Sequence, residues 1–346
     1  MPSKVVLVTG VASELGGRLL ARLGTNPEFD RVIGVDTRPP PKQVLRRLGQ
    51  AEFVRADIRN PLIAKVLADA RVDTVVHCST TCHPAGPARR MAIKEVNVIG
   101  TMRLLAACQR SRWMRKLVVK STAAVYGADP RSPAVFTEES ELIPGSSSGY
   151  AKDAVEMEGY VRRLARRRPD LSLTTLRFAN VIGPDLDTVL ARYFALPVVP
   201  TVLGFDARIQ LLHSSDALSV LELATLEDRP GVVNVACDGV LTLSQAIRRA
   251  GRIELPVPRA LVPSVAKLLR GAQVVDFSED QLRLLNFGRV VDTTRLKEEF
   301  GYRPRWNTKA AFDDYLRGRA PRPVLDGEKV AVLADQVLTA AKTGQT

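Results

Sequence analysis

The stretch that decides the fold is Val5-Val6-Leu7-Val8-Thr9-Gly10-Val11-Ala12-Ser13-Glu14-Leu15-Gly16. A β-branched apolar run enters a glycine-containing loop, and helical periodicity then continues to Leu23. Gly10 permits a tight turn, and Gly16 permits close packing of a helix on a strand. The stretch therefore predicts the first strand–helix unit of a parallel sheet.

The same loop is a candidate anion site. A helix that begins at Ser13, Glu14 and Leu15 presents N–H groups and a positive dipole end, which favour a pyrophosphate. Ser13 stands where the usual pattern has its middle glycine. Its hydroxyl could donate to a phosphate, although its Cβ crowds the approach. The alternative is a tight turn without a ligand.

Apolar runs alternate with helical segments through the first half of the chain, and further strands end at Asp36, Asp57, His77 and Ser121. Such runs are typical of strands buried on both faces. We predict a doubly wound parallel sheet of the Rossmann type, with a smaller C-terminal substrate lobe.

The expected domain boundaries follow a change in composition after Gly183-Pro184, where prolines begin to separate short segments. We expect residues 1–182 to form the dinucleotide-binding domain, with residues 209–238 returning to it. Residues 183–208 and 239–316 would form the substrate lobe. Residues 317–346 would be a linker and a terminal helix.

Asp36 indicates the cofactor. It lies 20 residues after Gly16, at the end of the second strand, where a carboxylate accepts hydrogen bonds from both adenosine ribose hydroxyls. This favours NAD, because a 2′-phosphate would meet a negative charge. Thr37 and Arg38 follow directly, and Arg38 softens that preference. Asp57-Ile58 would lie along the adenine; the alternative for Asp57 is a helix cap before Pro61.

Composition narrows the function classes. The formal net charge of +13 favours anionic partners, although arginines on solvated helix faces explain it equally simply. Aromatic content of 5% argues against nucleic acid. No apolar run is long enough to span a membrane, no signal peptide is seen, and four cysteines suit a reducing cytoplasm.

Four side chains that bind soft metal ions lie close together in the sequence: His77, Cys78, Cys82 and His83. They form a candidate metal site. Its position at the end of a strand argues against four ligands approaching one ion. We expect no metal.

The chain resembles the extended short-chain dehydrogenase/reductase family, the NAD-dependent epimerase/dehydratase group typified by UDP-glucose 4-epimerase. The resemblance covers about residues 5–315, and its pieces occur in the family's order. Besides the glycine loop, Asp36, Asp57-Ile58 and His77, they are Asn97-Val98-Ile99-Gly100-Thr101, Ser121-Thr122-Ala123-Ala124-Val125-Tyr126-Gly127, Lys152 with Glu156, Arg177-Phe178-Ala179-Asn180-Val181-Ile182-Gly183-Pro184, and residues 213–216 and 292–304.

The resemblance implies a set of site residues. Thr122 corresponds to the serine or threonine that holds the reacting oxygen, and Lys152 to the lysine that holds the nicotinamide ribose. The family's catalytic tyrosine, four residues before that lysine, is replaced by Ser148, and Tyr150 comes two residues later. Further cofactor contacts are expected at His77, Cys78, Ser79, Asn97 and Ser121.

Two substrate contacts are also implied. Asn180 matches a position beside the substrate diphosphate; the alternative is an ordinary loop cap. Arg208 lies one residue from the family's phosphate-binding arginine, whose strict position holds Ile209. Asp216 is expected to cap the following helix.

The loss of the tyrosine leaves three alternatives. Tyr150 performs the acid–base work from an irregular helix start, Lys152 or a water does so, or no turnover occurs. We expect an atypical epimerase/dehydratase-like oxidoreductase acting on a nucleotide-sugar or related hydroxyl compound. The rivals are a catalytically silent NAD-binding sensor or scaffold and, less favoured, a nucleic-acid-binding member. The family's habit implies a homodimer that pairs through the helix beginning near Arg89 and the Lys152 helix.

Overall fold

A computed structural model describes residues 4–79, 91, 93–142, 149–262, 264–265 and 279–318. Its centre is a seven-stranded parallel sheet with the strand order β3-β2-β1-β4-β5-β6-β11. The described strands are β1 Val5–Thr9, β2 Arg31–Asp36, β3 Glu52–Arg55, β4 Thr74–His77, β5 Lys116–Thr122, β6 Ser172–Phe178, β7 Asn180–Ile182, β8 Val198–Val202, β9 Arg208–Ile209, β10 Leu211–His213, β11 Gly231–Val235, β12 Leu241–Thr242 and β13 Ile253–Val257.

Helices cover both faces of this sheet. They are α1 Glu14–Gly24, α2 Lys42–Leu45, α3 Leu62–Asp69, α4 Thr101–Arg110, α5 Tyr150–Arg167, α6 Val189–Phe194, α7 Ser214–Leu226, α8 Leu243–Arg249, α9 Glu279–Phe287, α10 Thr294–Glu298 and α11 Thr308–Gly318. A π-helix, Glu95–Gly100, leads directly into α4, and 3₁₀ turns occupy Ala123–Tyr126 and Arg259–Leu261.

The alternation of side chains along each strand builds two apolar layers. Val118 of β5 packs in the layer that contains the leucines of α1 and the apolar face of α7. Leu117 and Val119 pack in the opposite layer with α3, α4 and α5. Side chains on both faces are buried, as expected for a parallel sheet covered by helices. The predicted doubly wound fold is confirmed.

The strand order reverses between β1 and β4, which are neighbours in space but start crossovers in opposite directions. In such sheets a ligand binds in the crevice at the carboxyl ends of these strands. Three small two-stranded pairings, β7–β10, β8–β13 and β9–β12, lie beyond that edge. The fold therefore places the glycine loop, Cys78 and Thr122 at one edge.

Neither the alternative role of Asp57 as a helix cap nor the cap expected at Asp216 is present. Pro61 is the N-cap of α3, and Asp57 instead accepts the backbone N–H of Arg59 at 2.8 Å. His213 is the N-cap of α7. Asp216 is fully buried in the first turn of that helix, where it accepts hydrogen bonds from the Tyr302 hydroxyl and from the N–H of Trp306.

The proposed division into a dinucleotide domain and a substrate lobe stays a prediction. β11 joins the main sheet beside β6, and α7 packs on α1. The terminal helix expected near residues 326–342 lies outside the described residues. Among the described residues, no helix combines the length and the apolar character needed to cross a bilayer.

Candidate active site

A cleft of about 640 Å³ follows the carboxyl edge of the sheet. This volume lies in the range of small-molecule and cofactor sites, roughly 300–1,000 Å³. Most of the predicted site residues line it: Gly10, Ser13, Glu14, Leu15, Asp36, Thr37, Arg38, Asp57, Ile58, Cys78, Ser79, Ser121, Thr122, Tyr150 and Asn180. The topology thus brings together side chains that are far apart in sequence.

Asp36 is held ready at the end of β2. One carboxylate oxygen accepts the N–H of Ala12 at 3.0 Å, and the other accepts the N–H of Thr37 at 2.7 Å. These bonds orient the carboxylate but leave lone pairs, because each oxygen can accept more than one hydrogen bond. The geometry suits two vicinal hydroxyls of a ribose. Arg38 lines the same end and is exposed.

The glycine loop packs closely against β4 and α1 only because its glycines lack side chains. Gly10 has φ +77°, and a Cβ there would lie 2.7 Å from the backbone of Cys78 and of Ser79. A Cβ on Gly16 would lie 2.3 Å from the carbonyl oxygen of Gly10. The N–H groups of Glu14 and Leu15, in the first turn of α1, have no intrahelical acceptor. The loop therefore fits a pyrophosphate.

Ser13 has a structural task in the loop, and its contact with a phosphate stays a prediction. Its hydroxyl donates to the carbonyl of Gly10 at 2.7 Å and accepts the N–H of Gly16 at 3.1 Å as the N-cap of α1. Its backbone is extended, with φ −77°, so a side chain is tolerated where the usual pattern has glycine.

At the adenine end, Arg59 was missed by sequence reasoning. Its guanidinium donates to both carboxylate oxygens of Asp57, with the shortest contact at 2.7 Å, and also contacts Glu95 at 3.1 Å. These hydrogen bonds hold the pKa of Asp57 below its ordinary value. Asp57 thus stays ionised, and Arg59 adds a planar cation to the cleft lining.

His77 and Asn97 lie beneath the cleft and do not line it. Both side chains are buried. His77 Nδ1 lies 2.8 Å from the Thr9 hydroxyl, and Nε2 lies 2.8 Å from the Thr101 hydroxyl. Thr101 donates its own proton to the Asn97 carbonyl, so Nε2 is the protonated ring nitrogen. The imidazole ties β4 to β1 and α4, and its contact with the cofactor stays a prediction.

Two other residues that are predicted to contact the cofactor have unreactive side chains. Burial raises the pKa of Cys78 to about 11, so its thiol stays protonated at neutral pH. The Ser121 hydroxyl donates to Glu158 at 2.6 Å. Cys78 and Ser121 therefore shape the cleft wall without offering a reactive group.

The cleft wall next to β5 and the start of α5 contains Thr122 and Tyr150. Thr122 is half-buried, and its hydroxyl oxygen accepts the N–H of Ala124 at 3.2 Å while its proton stays available. Tyr150 is the first residue of α5 and is half-buried in the cleft wall. Lys152 is exposed and does not line the cleft, so its contact with the nicotinamide ribose stays a prediction. Ser148 lies outside the described residues.

Buried polar side chains support this end from below. Arg177 donates to both carboxylate oxygens of Glu158, at 3.0 and 2.7 Å, and to the Tyr126 hydroxyl at 2.8 Å. Tyr126 in turn donates to Asn234 at 2.7 Å. Because Glu158 also receives the Ser121 hydroxyl, the network fixes β5 and the turn after it against α5.

The substrate side gives one outcome against the sequence expectation. Arg208 is exposed, does not line the cleft and donates to the Ala134 carbonyl at 2.8 Å. Arg289 lines the cleft instead and was missed. Its Nε donates to the Gly127 carbonyl at 2.7 Å, and burial lowers its pKa to about 10, which leaves it charged at neutral pH. The sequence signal for Arg289 was its position three residues before Asp292, where one of the segments that resemble the family begins.

A third cation, Lys120, was also missed. It is half-buried and lines the cleft two residues before Thr122 on β5. A lysine directly after the apolar run Leu117-Val118-Val119 was the signal. For the metal question, Cys82 and His83 lie outside the described residues, and the residues that are described contain no group of three potential ligands.

Residues 6–236 match the sequence profile of the NAD dependent epimerase/dehydratase family. The chain belongs to this family. Its cofactor is accordingly NAD, which the cradle at Gly10 and the carboxylate of Asp36 fit. Among curated relatives of this epimerase/dehydratase chain, an uncharacterized protein of Mycobacterium tuberculosis is 52% identical over 327 residues, which cover 94% of this chain and 87% of the relative.

Solved structures share the fold at low sequence identity. MoeE5 in complex with UDP-glucose and NAD superposes with a TM-score of 0.69 at 19% identity, covering 91% of this chain and 98% of that one. UDP-glucose 4-epimerase from Thermotoga maritima, bound to UDP-glucose, gives 0.68 at 20% identity over the same shares. These likenesses establish the architecture of this family member.

Proposed function

We propose that this chain is an NAD-dependent oxidoreductase of the epimerase/dehydratase type that acts on a nucleotide-linked sugar or a related hydroxyl compound. The observation that carries the proposal is Arg289. A half-buried guanidinium is costly to desolvate, and Arg289 keeps its charge in the wall of a cleft that also holds a dinucleotide cradle. Within the described part of the chain, its terminal nitrogens have no hydrogen-bond partner.

A cation so placed favours an anionic ligand, and a guanidinium matches phosphate geometry. Asn180 lies in the same wall and offers an amide to the same ligand. The neighbours with UDP-glucose support a nucleoside diphosphate as the anionic part. Arg289 and Asn180 would therefore anchor the diphosphate, while the attached sugar extends toward Thr122 and Tyr150.

The residues of the chain suggest the following chemistry. When bound, NAD supplies the hydride acceptor. Asp36 would hold its adenosine ribose, and the start of α1 would hold its pyrophosphate. Thr122 Oγ1 would donate a hydrogen bond to the reacting oxygen, and Tyr150 Oη would accept the proton of the substrate hydroxyl. Tyr150 thereby takes the task that the family gives to the position of Ser148.

A second candidate function is favoured by Lys152, whose exposed side chain lies outside the cleft. If no other group takes over the catalytic role expected of Lys152, the chain is a catalytically silent NAD sensor or scaffold. We also propose that the enzyme is cytoplasmic. It would form a homodimer that pairs through α5 and the helical segment before Arg110.

The proposal is tested in two steps with the full chain. Native mass spectrometry of the purified protein should find NAD bound. UDP-glucose, dTDP-glucose and UDP-glucuronic acid should then be assayed for binding and for NADH absorbance. Arg289→Met should weaken nucleotide-sugar binding at least ~10-fold, because it removes charge-assisted hydrogen bonds. Arg208→Met is the matched control and should bind as the wild type does.

Equal affinity of the Arg289→Met variant and the wild type would contradict the diphosphate assignment. NAD binding without nucleotide-sugar binding or NADH formation would favour the sensor.

A further inference from the structure

The helix α1 carries an arginine that bonds to carboxylates of two different segments. Arg18 Nε donates to Glu14 Oε1 at 2.6 Å, one turn earlier on the same helix. Arg18 Nη2 donates to Asp185 Oδ2 at 2.9 Å. Asp185 lies 167 residues further along the chain, in the loop between β7 and α6. The guanidinium therefore joins the start of α1 to a loop from the second half of the chain.

Both carboxylates belong to the wall of the cofactor cleft. Glu14 lines the cleft in the first turn of α1, and Asp185 lines it together with the five residues that follow, up to position 190. Arg18 lies one turn further along α1 and is not part of the lining. The ion pair thus holds one part of the wall to the helix start that we expect to bind the pyrophosphate.

The two sides of this bridge are held in different ways. The leucines of α1 are buried in the core, so the helix is fixed on the sheet. The loop is anchored near its two ends: Gly183 packs so closely on Ser214 that a Cβ has no room, and Thr188 is the N-cap of α6. Asp185 lies between these ends, and its side chain is 63% exposed. The bond to Arg18 is therefore placed to hold the middle of the loop.

The charge of Asp185 makes its position beside a diphosphate unfavourable by itself. Glu14 and Asp185 bring two negative charges to the part of the cleft where an anionic ligand is expected, and like charges repel. Arg18 neutralises one of the two. By charge alone, loss of Asp185 should favour a bound dinucleotide, so any contribution of Asp185 to cofactor retention has to come from the bridge.

We propose that Arg18 and Asp185 form a clasp at the pyrophosphate end of the cleft and that this clasp slows the release of NAD. The clasp holds the loop of residues 183–188 against the start of α1, and the dinucleotide leaves after the ion pair has opened. Arg18 is a positioning residue, because its effect reaches the cofactor through the loop. The inference depends on the pyrophosphate lying at the start of α1 and not on the reaction that follows.

The test is the release of NADH from the full chain, followed by fluorescence after mixing with excess NAD. Arg18→Met and Asp185→Ala should each speed release about 2- to 5-fold, the usual strength of a partly exposed ion pair expressed as a rate. The double variant should release NADH no faster than Arg18→Met does, because both changes break the same bond.

Arg22→Met is the matched control. Arg22 lies one turn further along α1 than Arg18 and pairs with Glu222 of α7 at 2.6 Å, and neither of these residues lines the cleft. The substitution removes the same charge from the same helix and should leave the release rate unchanged. Thermal unfolding of every variant reports on folding.

Hydrogen exchange of the chain without ligand gives a second readout. The backbone amides of residues 185–190 should exchange faster in Arg18→Met and in Asp185→Ala than in the wild type, because the middle of the loop is released. In Arg22→Met they should exchange as in the wild type.

The proposal is overturned if Asp185→Ala releases NADH at the wild-type rate or more slowly, as charge alone requires. It is also overturned if Arg22→Met speeds release as much as Arg18→Met does, or if exchange in the loop is the same in every variant. Neither measurement uses a nucleotide sugar, so a chain without turnover would contradict the proposed function and leave this test intact.

Discussion

His77 is a buried titratable residue directly beneath the cofactor cleft. Its folded pKa of about 4 lies below the ordinary value of about 6.5, because burial disfavours the imidazolium. Between these pH values the unfolded chain binds a proton that the folded chain does not. The stabilising contribution is therefore complete above about pH 6.5 and is lost as the pH falls toward 4.

We expect this to appear in urea unfolding between pH 6.5 and 5, above the range of most carboxylates. The free energy of unfolding of the wild type should fall by up to about 1.4 kcal/mol per pH unit from this residue alone. His77→Gln cannot titrate, so its free energy of unfolding should depend less steeply on pH. Parallel pH dependences would show that His77 does not contribute.

Sequence reasoning succeeded for residues whose role follows from local chain geometry. Gly10 and Asp36 lie at the ends of two strands that are adjacent in the sheet, so the strand pattern alone brings them together. It failed for Arg208 and Arg289. An isolated bridge pairs Arg289 with Ile209, the neighbour of Arg208, and only tertiary structure decides which guanidinium enters the cleft.

At the scale of elements, the turn between β1 and α1 depends on its first glycine. Gly10 combines φ +77° with backbone atoms at 2.7 Å from any Cβ. Gly10→Ala should therefore open the loop and weaken NAD binding at least ~10-fold, since a displaced backbone cannot keep its phosphate contacts. Calorimetric titration of NAD measures the effect.

Gly239→Ala provides the matched control. Gly239 has φ +79°, and nothing lies within 4 Å of its Cβ position. The two substitutions share the strain of a positive φ, of order 1 kcal/mol, but only Gly10→Ala adds the clash. Similar losses of NAD affinity in both variants would contradict a specific role for the loop.

The start of α5 shows why the sequence left the catalytic alternatives open. A pattern of Ser148, Tyr150 and Lys152 does not reveal which side chain faces inward, because that depends on where the helix begins. In the structure Gly149, with φ +96°, precedes the helix and sets the inward direction at Tyr150. A backbone conformation that glycine adopts readily thus decides that Tyr150, and not Lys152, reaches the cleft.

At the scale of the whole molecule, Asp216 ties α7 to the segment before α11. Its buried carboxylate accepts the Tyr302 hydroxyl at 2.8 Å and the N–H groups of Arg305 and Trp306, each at 3.1 Å. Asp216→Ala would leave three partly buried donors without this acceptor. We expect it to lower the free energy of unfolding by about 3 kcal/mol or more, measured by urea denaturation.

An exposed aspartate offers the comparison for this change. Asp238 forms an ion pair with Lys297 at the surface. Asp238→Ala should cost no more than about 1 kcal/mol, as is usual for exposed pairs. Asp216→Ala with an equally small cost would mean that the carboxylate is not a tie between these segments.

The packing of α1 on α7 has a consequence for synthesis on the ribosome. Leu19, Leu20 and Leu23 of α1 share one core with Val220 and Leu221 of α7, which are translated much later. At roughly 5–20 residues per second, the leucines wait on the order of ten seconds or longer for that cover. During this interval a nascent chain with β1 to β6 already made exposes an apolar helix face, which is a natural binding surface for chaperones.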